Sequence, residues 1–380
     1  MRKALLSVIA GAVMCAVPAQ AGAAAPPGPR LAVSSFNLHF PNSPKEKRNS
    51  FDLSDLLSGN VFTVDANGDS QQMLTDGSSS QKLLPLGGIS WSPDGSSLAL
   101  QASKLSEFGR SGASEIYVVG ADGSGLRRLT RVRNASSPVY SADGKQVYFE
   151  RTKNIKKDAF AGLKRVHLKK GFAGDLQNSV AVLLARISGS IWAINVDGTG
   201  LHRVTAPKAG ISQAPTSVSP LTGDIAFSQT NCRRRSCTSS ARLFSITTGT
   251  VTLIANHADS PAFSPDGQKV ALDSYQDHNW RKHSGFGPAP ELYVRTLATG
   301  EMRRLTFNKG IDGPASWDPS GSRLAYLHFN LSRNGVSEIN PDGSCATPLP
   351  ALQGMSLLGT TYQGLAWQPG QGRGAGPAVC

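Results

Sequence analysis

The stretch "RTKNIKKDAFAGLKRVHLKK" sets eight basic residues, Arg151, Lys153, Lys156, Lys157, Lys164, Arg165, Lys169 and Lys170, against the single acid Asp158. Side chains of this kind draw carboxylates, sulfates and phosphates by charge, with little demand on geometry. Three shorter clusters carry the same chemistry: "CRRRSC" with Arg233, Arg234 and Arg235, "NWRKH" with Arg281 and Lys282, and "KEKR" from Lys45 to Arg48. A second chemistry would need imidazoles, and His39, His257, His278, His283 and His328 supply them, although not as a tight His-x-His pair. No "GxSxG" nucleophile elbow occurs, and "GQGRGAG" near the C-terminus lacks the strand and helix of a dinucleotide site. The basic residues are therefore the candidate ligand-binding set, and no catalytic residue, metal ligand or cofactor is assigned.

What must position these clusters is legible in the turns. "ISWSPDGSSLAL", "YSADGKQVYF" and "FSPDGQKVAL" each place Asp-Gly between two apolar runs. Asp bonds back to the backbone and Gly takes the positive φ that other residues resist, so each flank is a strand of a hairpin. A second Gly-based hairpin follows in "EIYVVGADGSGLRRLT", "SIWAINVDGTGLHRVT", "RLFSITTGTVTLI" and "ELYVRTLATGEMRRLT". Two copies of the first turn, "SVSPLTGDIAF" and "SWDPSGSRLAY", keep Pro and Gly but lose the Asp-Gly pair. The second turns recur near Asn67, Asp122, Asp197, Thr248, Thr299 and Asp342, a period of about 50 residues broken mainly by one long insertion.

This spacing predicts an all-β chain, a six-bladed β-propeller of four-stranded antiparallel blades. The N-terminus begins with a second-strand pattern, "RLAVSSF", while "YQGLAWQPG" at the far end is an orphan first strand. The two termini are thus expected to close the ring within one blade. One domain should span residues 30–370, with a basic insertion over 151–180 and a flexible tail over 371–380. Trp91, Trp317 and Trp367 fall at equivalent first-strand positions and read as blade packing.

The pair "WSPDG" and "IYVVGADGSGLRRLT" resembles the repeat of TolB-like β-propellers over nearly the whole chain, without the N-terminal α/β domain of that family. The resemblance implies architecture rather than activity. A related enzyme family, the oligogalacturonate lyases, implies an alternative: a metal-dependent polysaccharide lyase using His and Gln ligands.

Alternation of strand direction puts the Asp-bearing turns on one face of the disk: Asp94, Asp122, Asp143, Asp197, Asp266 and Asp342. The long connections and their Lys and Arg fall on the other. Arg127, Arg128, Arg303 and Arg304 belong to outermost strands, where charge blunts an edge.

Arg2 and Lys3, the apolar run Ala4 to Val17, and small residues after it form a secretory leader over 1–21, with cleavage after Ala21, Ala24 or Ala25. No further run is long enough to span a membrane. The remaining four cysteines, an even number in an oxidising compartment, are expected to pair as Cys232 with Cys237 and Cys345 with Cys380. The formal charge of +13 favours acidic partners. Together these features predict an exported propeller, periplasmic, on the cell surface or secreted. Its expected role is non-catalytic binding of a protein or an anionic cell-envelope polymer, with nucleic acid not expected.

Overall fold

The computed structural model describes residues 30–38, 57–75, 83–104, 114–152, 188–233, 236–276, 289–308, 310–330, 333–355, 360–369 and 380. Every regular element among them is a strand. The first blade takes β1 (Leu31–Leu38), β2 (Leu57–Val64) and β3 (Gln72–Met73) from the N-terminus. Blade two is β4 (Leu83–Trp91), β5 (Ser97–Lys104), β6 (Ser114–Gly120) and β7 (Arg127–Arg128). Blade three is β8 (Ala135–Tyr140), β9 (Gln146–Thr152), β10 (Gly189–Asn195) and β11 (His202–Arg203). Blade four is β12 (Ile211–Val218), β13 (Ile225–Arg233), β14 (Ser236–Phe244) and β15 (Val251–Asn256). Blade five is β16 (Ala258–Phe263), β17 (Lys269–Ser274), β18 (Glu291–Thr296) and β19 (Met302–Arg304). Blade six is β20 (Ile311–Trp317), β21 (Leu324–Phe329), β22 (Arg333–Ile339) and β23 (Thr347–Met355).

The first blade is completed by the last strand, β24 (Thr360–Trp367), which pairs antiparallel with β1 from Leu31↔Trp367 to Asn37↔Thr360. The expected closure by both termini is therefore the observed one, in six sheets of four strands. The six inner strands, β24, β4, β8, β12, β16 and β20, contact one another around the axis. The core lies between blades rather than inside any one of them, as six apolar clusters at the six junctions.

Local chemistry explains why the repeat reads as it does. In the first turns, Ser92, Ser141 and Ser264 donate their hydroxyls to Asp94, Asp143 and Asp266 at 2.6, 2.7 and 2.5 Å. The Thr that ends "RRLT" and "HRVT" is a cap. Thr75, Thr130, Thr205 and Thr306 accept the N–H of Val61, Ile116, Ile191 and Leu292, each 14 residues earlier, at 2.8 to 3.0 Å. In blades two and five the hydroxyl also donates to a buried glutamate, Glu115 at 2.5 Å and Glu291 at 2.7 Å. The Glu that opens the third strand and the Thr that closes the fourth are thus one unit.

Both expected disulfides form: Cys232–Cys237 across the end of the β13–β14 hairpin, and Cys345–Cys380 from the loop before β23 to the C-terminal residue. Among the described residues no helix is long and apolar enough to cross a membrane. The expected leader, the tail over 371–379, and insertion residues 153–180 lie outside the described residues.

Closure by β24 rests on Leu365 and Trp367, which pack with Leu31, Val33, Leu327 and Val336 at the junction of blades six and one. Trp367→Ala should destabilise the chain by about 3–5 kcal/mol, the cost of truncating a large buried aromatic. Urea unfolding with an unchanged midpoint would show that the terminal strand does not hold the ring.

Candidate functional site

The propeller axis is a channel with two chemically different ends. At the turn-face end, equivalent positions of the inner strands present Trp91, Tyr140, Val218, Phe263, Trp317 and Trp367. Two residues further on stand Pro93, Ala142, Pro220, Pro265, Pro319 and Pro369. They line a cavity of about 470 Å³, the size of a small-ligand site. The Trp residues do pack blades, as expected, and they also form this wall. Trp91 Nε1 donates to the Ala366 carbonyl and Trp317 Nε1 to the Ala262 carbonyl, both at 3.0 Å and both across a blade junction. At the alternate junctions Ser90, Ser217 and Ser316 accept the N–H of Tyr140, Phe263 and Trp367 at 3.3, 3.0 and 3.0 Å.

At the loop-face end each inner strand carries a bulge, and at three junctions a polar side chain from the second strand of the preceding blade bonds to its backbone. Ser34 donates to the Gly87 carbonyl at 3.2 Å, Gln101 accepts Ser137 N–H at 3.3 Å, and Ser228 accepts Ser260 N–H at 2.8 Å. Glu150 accepts the hydroxyls of Ser212 and Ser136. At the corresponding place in blade five, Asp273 packs against Gly313, where any Cβ would come within 2.6 Å of the Asp273 Cβ and φ is +123°. Only glycine fits there.

Sequence reasoning missed these carboxylates because each is a single acid inside an apolar strand, as in "VYFERT" and "VALDS". An acid at a position otherwise reserved for strand packing is itself the signal. Burial pushes the Glu150 carboxyl up, against the pull of Ser212 and Ser136. Burial, and next the charge of Asp259, push Asp273 up to about 7, and its Oδ1 has no hydrogen-bond partner. Asp259, which is the cross-strand partner of Asp273, is also raised by burial.

The turn face is the opposite case. Hydroxyls of Ser92, Ser141, Thr199, Ser264 and Ser344 hold Asp94, Asp143, Asp197, Asp266 and Asp342 below the usual carboxylate range, and the Ser124 N–H does so foremost for Asp122. All six are therefore ionised at neutral pH, on the face where the turns place them.

Of the basic residues, Arg151 is the last but one of β9, with its guanidinium 4.7 Å from the Trp192 ring centroid. Arg233 ends β13 and pairs with Ser236 inside the disulfide-closed hairpin. Lys153, Lys156, Lys157, Lys164, Arg165, Lys169, Lys170, Arg234, Arg235, Arg281 and Lys282 lie outside the described residues, as do His39, His278 and His283. His328 is held on both sides: Asn330 donates to Nε2 at 3.0 Å, which leaves the Nδ1 proton for Asp312 at 2.6 Å. Among the described residues no three His, Cys, Asp or Glu gather as metal ligands.

With this geometry in hand, the chain is similar to the crystal structure of TolB from Acinetobacter baumannii, at a TM-score of 0.57 and 17% identity over 90% of this chain and 67% of that one. A protein assigned as TolB in Agrobacterium tumefaciens aligns at 0.52 and 12% identity, over 90% of this chain and all of the other. The fold is that of the TolB propeller. In sequence, a 76-residue stretch is 38% identical to the Tol-Pal system protein TolB of Alcanivorax borkumensis, covering 20% of this chain and 15% of that protein. No family model matches. The hydrazine synthase of Kuenenia stuttgartiensis shares the fold at a TM-score of 0.56 and 12% identity, over 89% of this chain and 47% of that one.

The Asp273 carboxyl makes stability pH-dependent. Below the unfolded-state value near 4 both states hold the proton; between about 4 and about 7 only the folded chain keeps it, so stability falls as pH rises through that window. Asp273→Asn should therefore melt above the parent at pH 8, with the gap closing toward pH 4. Parallel melting curves across this range would contradict the burial of a protonated carboxyl.

Proposed function

We propose that the chain is an exported, non-catalytic binding propeller that engages an anionic cell-envelope polymer or an acidic protein surface through its basic loop face. The observation that carries this reading is the one-sided placement of the acids. Six ionised aspartates occupy the turn face, whereas the densest runs of Lys and Arg in a chain of net charge +13 fall in the other set of connections. Arg151 and Arg233 stand where second strands leave for the opposite face. The Cys232–Cys237 disulfide ties β13 to β14 on either side of "RRR" in the sequence. The basic stretch Lys153 to Lys170 continues from Arg151 in sequence, and Arg281 and Lys282 follow the second strand of blade five in the same way.

The two disulfides support export, since such bonds persist in oxidising compartments. The shared TolB fold supports a binding role. Exposed charges that act together, without a shaped pocket, give attraction that is long in range and sensitive to salt.

Polygalacturonate and polyglutamate serve as probes of the polymer and protein classes. Each should bind at low ionic strength and weaken as the Debye length falls to about 10 Å near 0.1 M salt. Replacing Lys156, Lys157, Lys164 and Arg165 with Ser or Gln, or Arg233, Arg234 and Arg235 with Ser, should lower affinity without lowering the melting temperature. Equal binding by the variants, or binding indifferent to salt, would overturn the reading.

A further inference from the structure

The cavity at the turn-face end of the channel lies at the opposite end from the basic loops, and its chemistry has the opposite sign. Five of the six inner strands give it an aromatic ring, Trp91, Tyr140, Phe263, Trp317 and Trp367. Such rings carry negative π faces, which attract a cation that comes within about 6 Å of their centroids. At the mouth, Asp94, Asp143 and Asp266 directly follow the wall residues Pro93, Ala142 and Pro265, and all three aspartates are exposed. The five hairpins between first and second strands hold the acids Asp94, Asp143, Asp224, Asp266 and Asp318. Their bases are Lys145, Lys269 and Arg323, and Arg323 is already paired with Glu338 at 2.6 Å. Lys145 stands 4.0 Å from Asp143 with 82% of its side chain exposed, so water screens it. Acids therefore prevail at the mouth.

The way these carboxylates are held selects the ligand. Asp94 accepts the Ser92 and Ser96 hydroxyls and the Ser96 N–H. Asp143 accepts the Ser141 hydroxyl and the Lys145 N–H, and Asp266 the Ser264 hydroxyl and the Gln268 N–H. Oxygens spent on their own turns act on a ligand through charge more than through hydrogen bonds. That favours a cation over a neutral sugar.

One donor in the wall is unspent. Trp91 and Trp317 give their indole N–H to carbonyls of a neighbouring inner strand. Trp367, 5% exposed, has no partner for its Nε1 among the described residues. A buried donor of this kind is a lost hydrogen bond until an acceptor meets it.

We propose that the cavity binds a compact organic ammonium that also carries an oxygen acceptor. The ammonium lies among the aromatic rings and beneath the carboxylates, and the oxygen takes the Trp367 N–H. A volume of about 470 Å³ suits a small ligand of this kind. Being at the far end of the channel, it leaves the basic loops free for a polyanion.

Choline is the probe. Its neutral carbon isostere, an alcohol of the same shape, lacks the charge, and tetramethylammonium lacks the oxygen. Titration followed by tryptophan fluorescence should show saturable choline binding, at least about tenfold tighter than that of the neutral isostere. Ala142 is an exposed wall position where four other blades have Pro. Ala142→Arg sets a cation in the mouth and should abolish choline binding with no loss of melting temperature. Trp367→Phe keeps a ring but loses the N–H, and should remove the preference for choline over tetramethylammonium. No saturable binding of choline, equal binding of the neutral isostere, or unchanged binding by Ala142→Arg would each overturn the proposal. A preference for choline that survives Trp367→Phe would overturn the pairing of its oxygen with Trp367.

Discussion

A four-stranded blade is apolar on both faces, and neither face can be satisfied inside the blade. Each therefore needs a neighbour on either side, and only a closed ring provides this for all six. The pairing of β24 with β1 is the constraint on which the rest depends. Without it, Leu31, Val33 and Phe62 of the first blade and Leu327 and Val336 of the sixth would face water. Ring closure also removes the two sheet edges that the termini would otherwise leave beside the axis.

Closure fixes a channel, and the channel sorts its polar groups by depth. At the turn-face end, the inner strands touch through indole N–H groups and serine hydroxyls set between aromatic rings, so every bond crosses a junction. At the loop-face end, the bulges of β4, β8 and β16 turn a backbone group toward the neighbouring blade, and Ser34, Gln101 and Ser228 from that blade bond to it. Those contacts are neutral. Where the corresponding side chain is Glu150 or Asp273, burial favours the protonated acid over the charged one, which is why the acids near the axis and those on the turns are shifted in opposite directions.

Much of this was legible in the residues. Asp-Gly after Ser announced the turns, and the same Ser and Asp bond to each other in the fold. The alternation of short turns and long connections is enough to put six aspartates on one face. The orphan "YQGLAWQPG" implied the closing strand, and an even cysteine count implied two bridges, both of which form. The basic clusters were legible as charge alone, because long polar connections carry no periodicity from which a position follows.

The repeat, the blade count, the strand order and the sidedness of the turn aspartates depend on spacing along the chain and on turn chemistry local to a few residues. Which side chains meet across blades is set by the assembled ring. Asp273 against Gly313, Glu150 against Ser212, and the aromatic wall from Trp91 to Trp367 join residues up to 276 positions apart. No local pattern encodes such contacts, because they arise from the angle at which one sheet leans on the next.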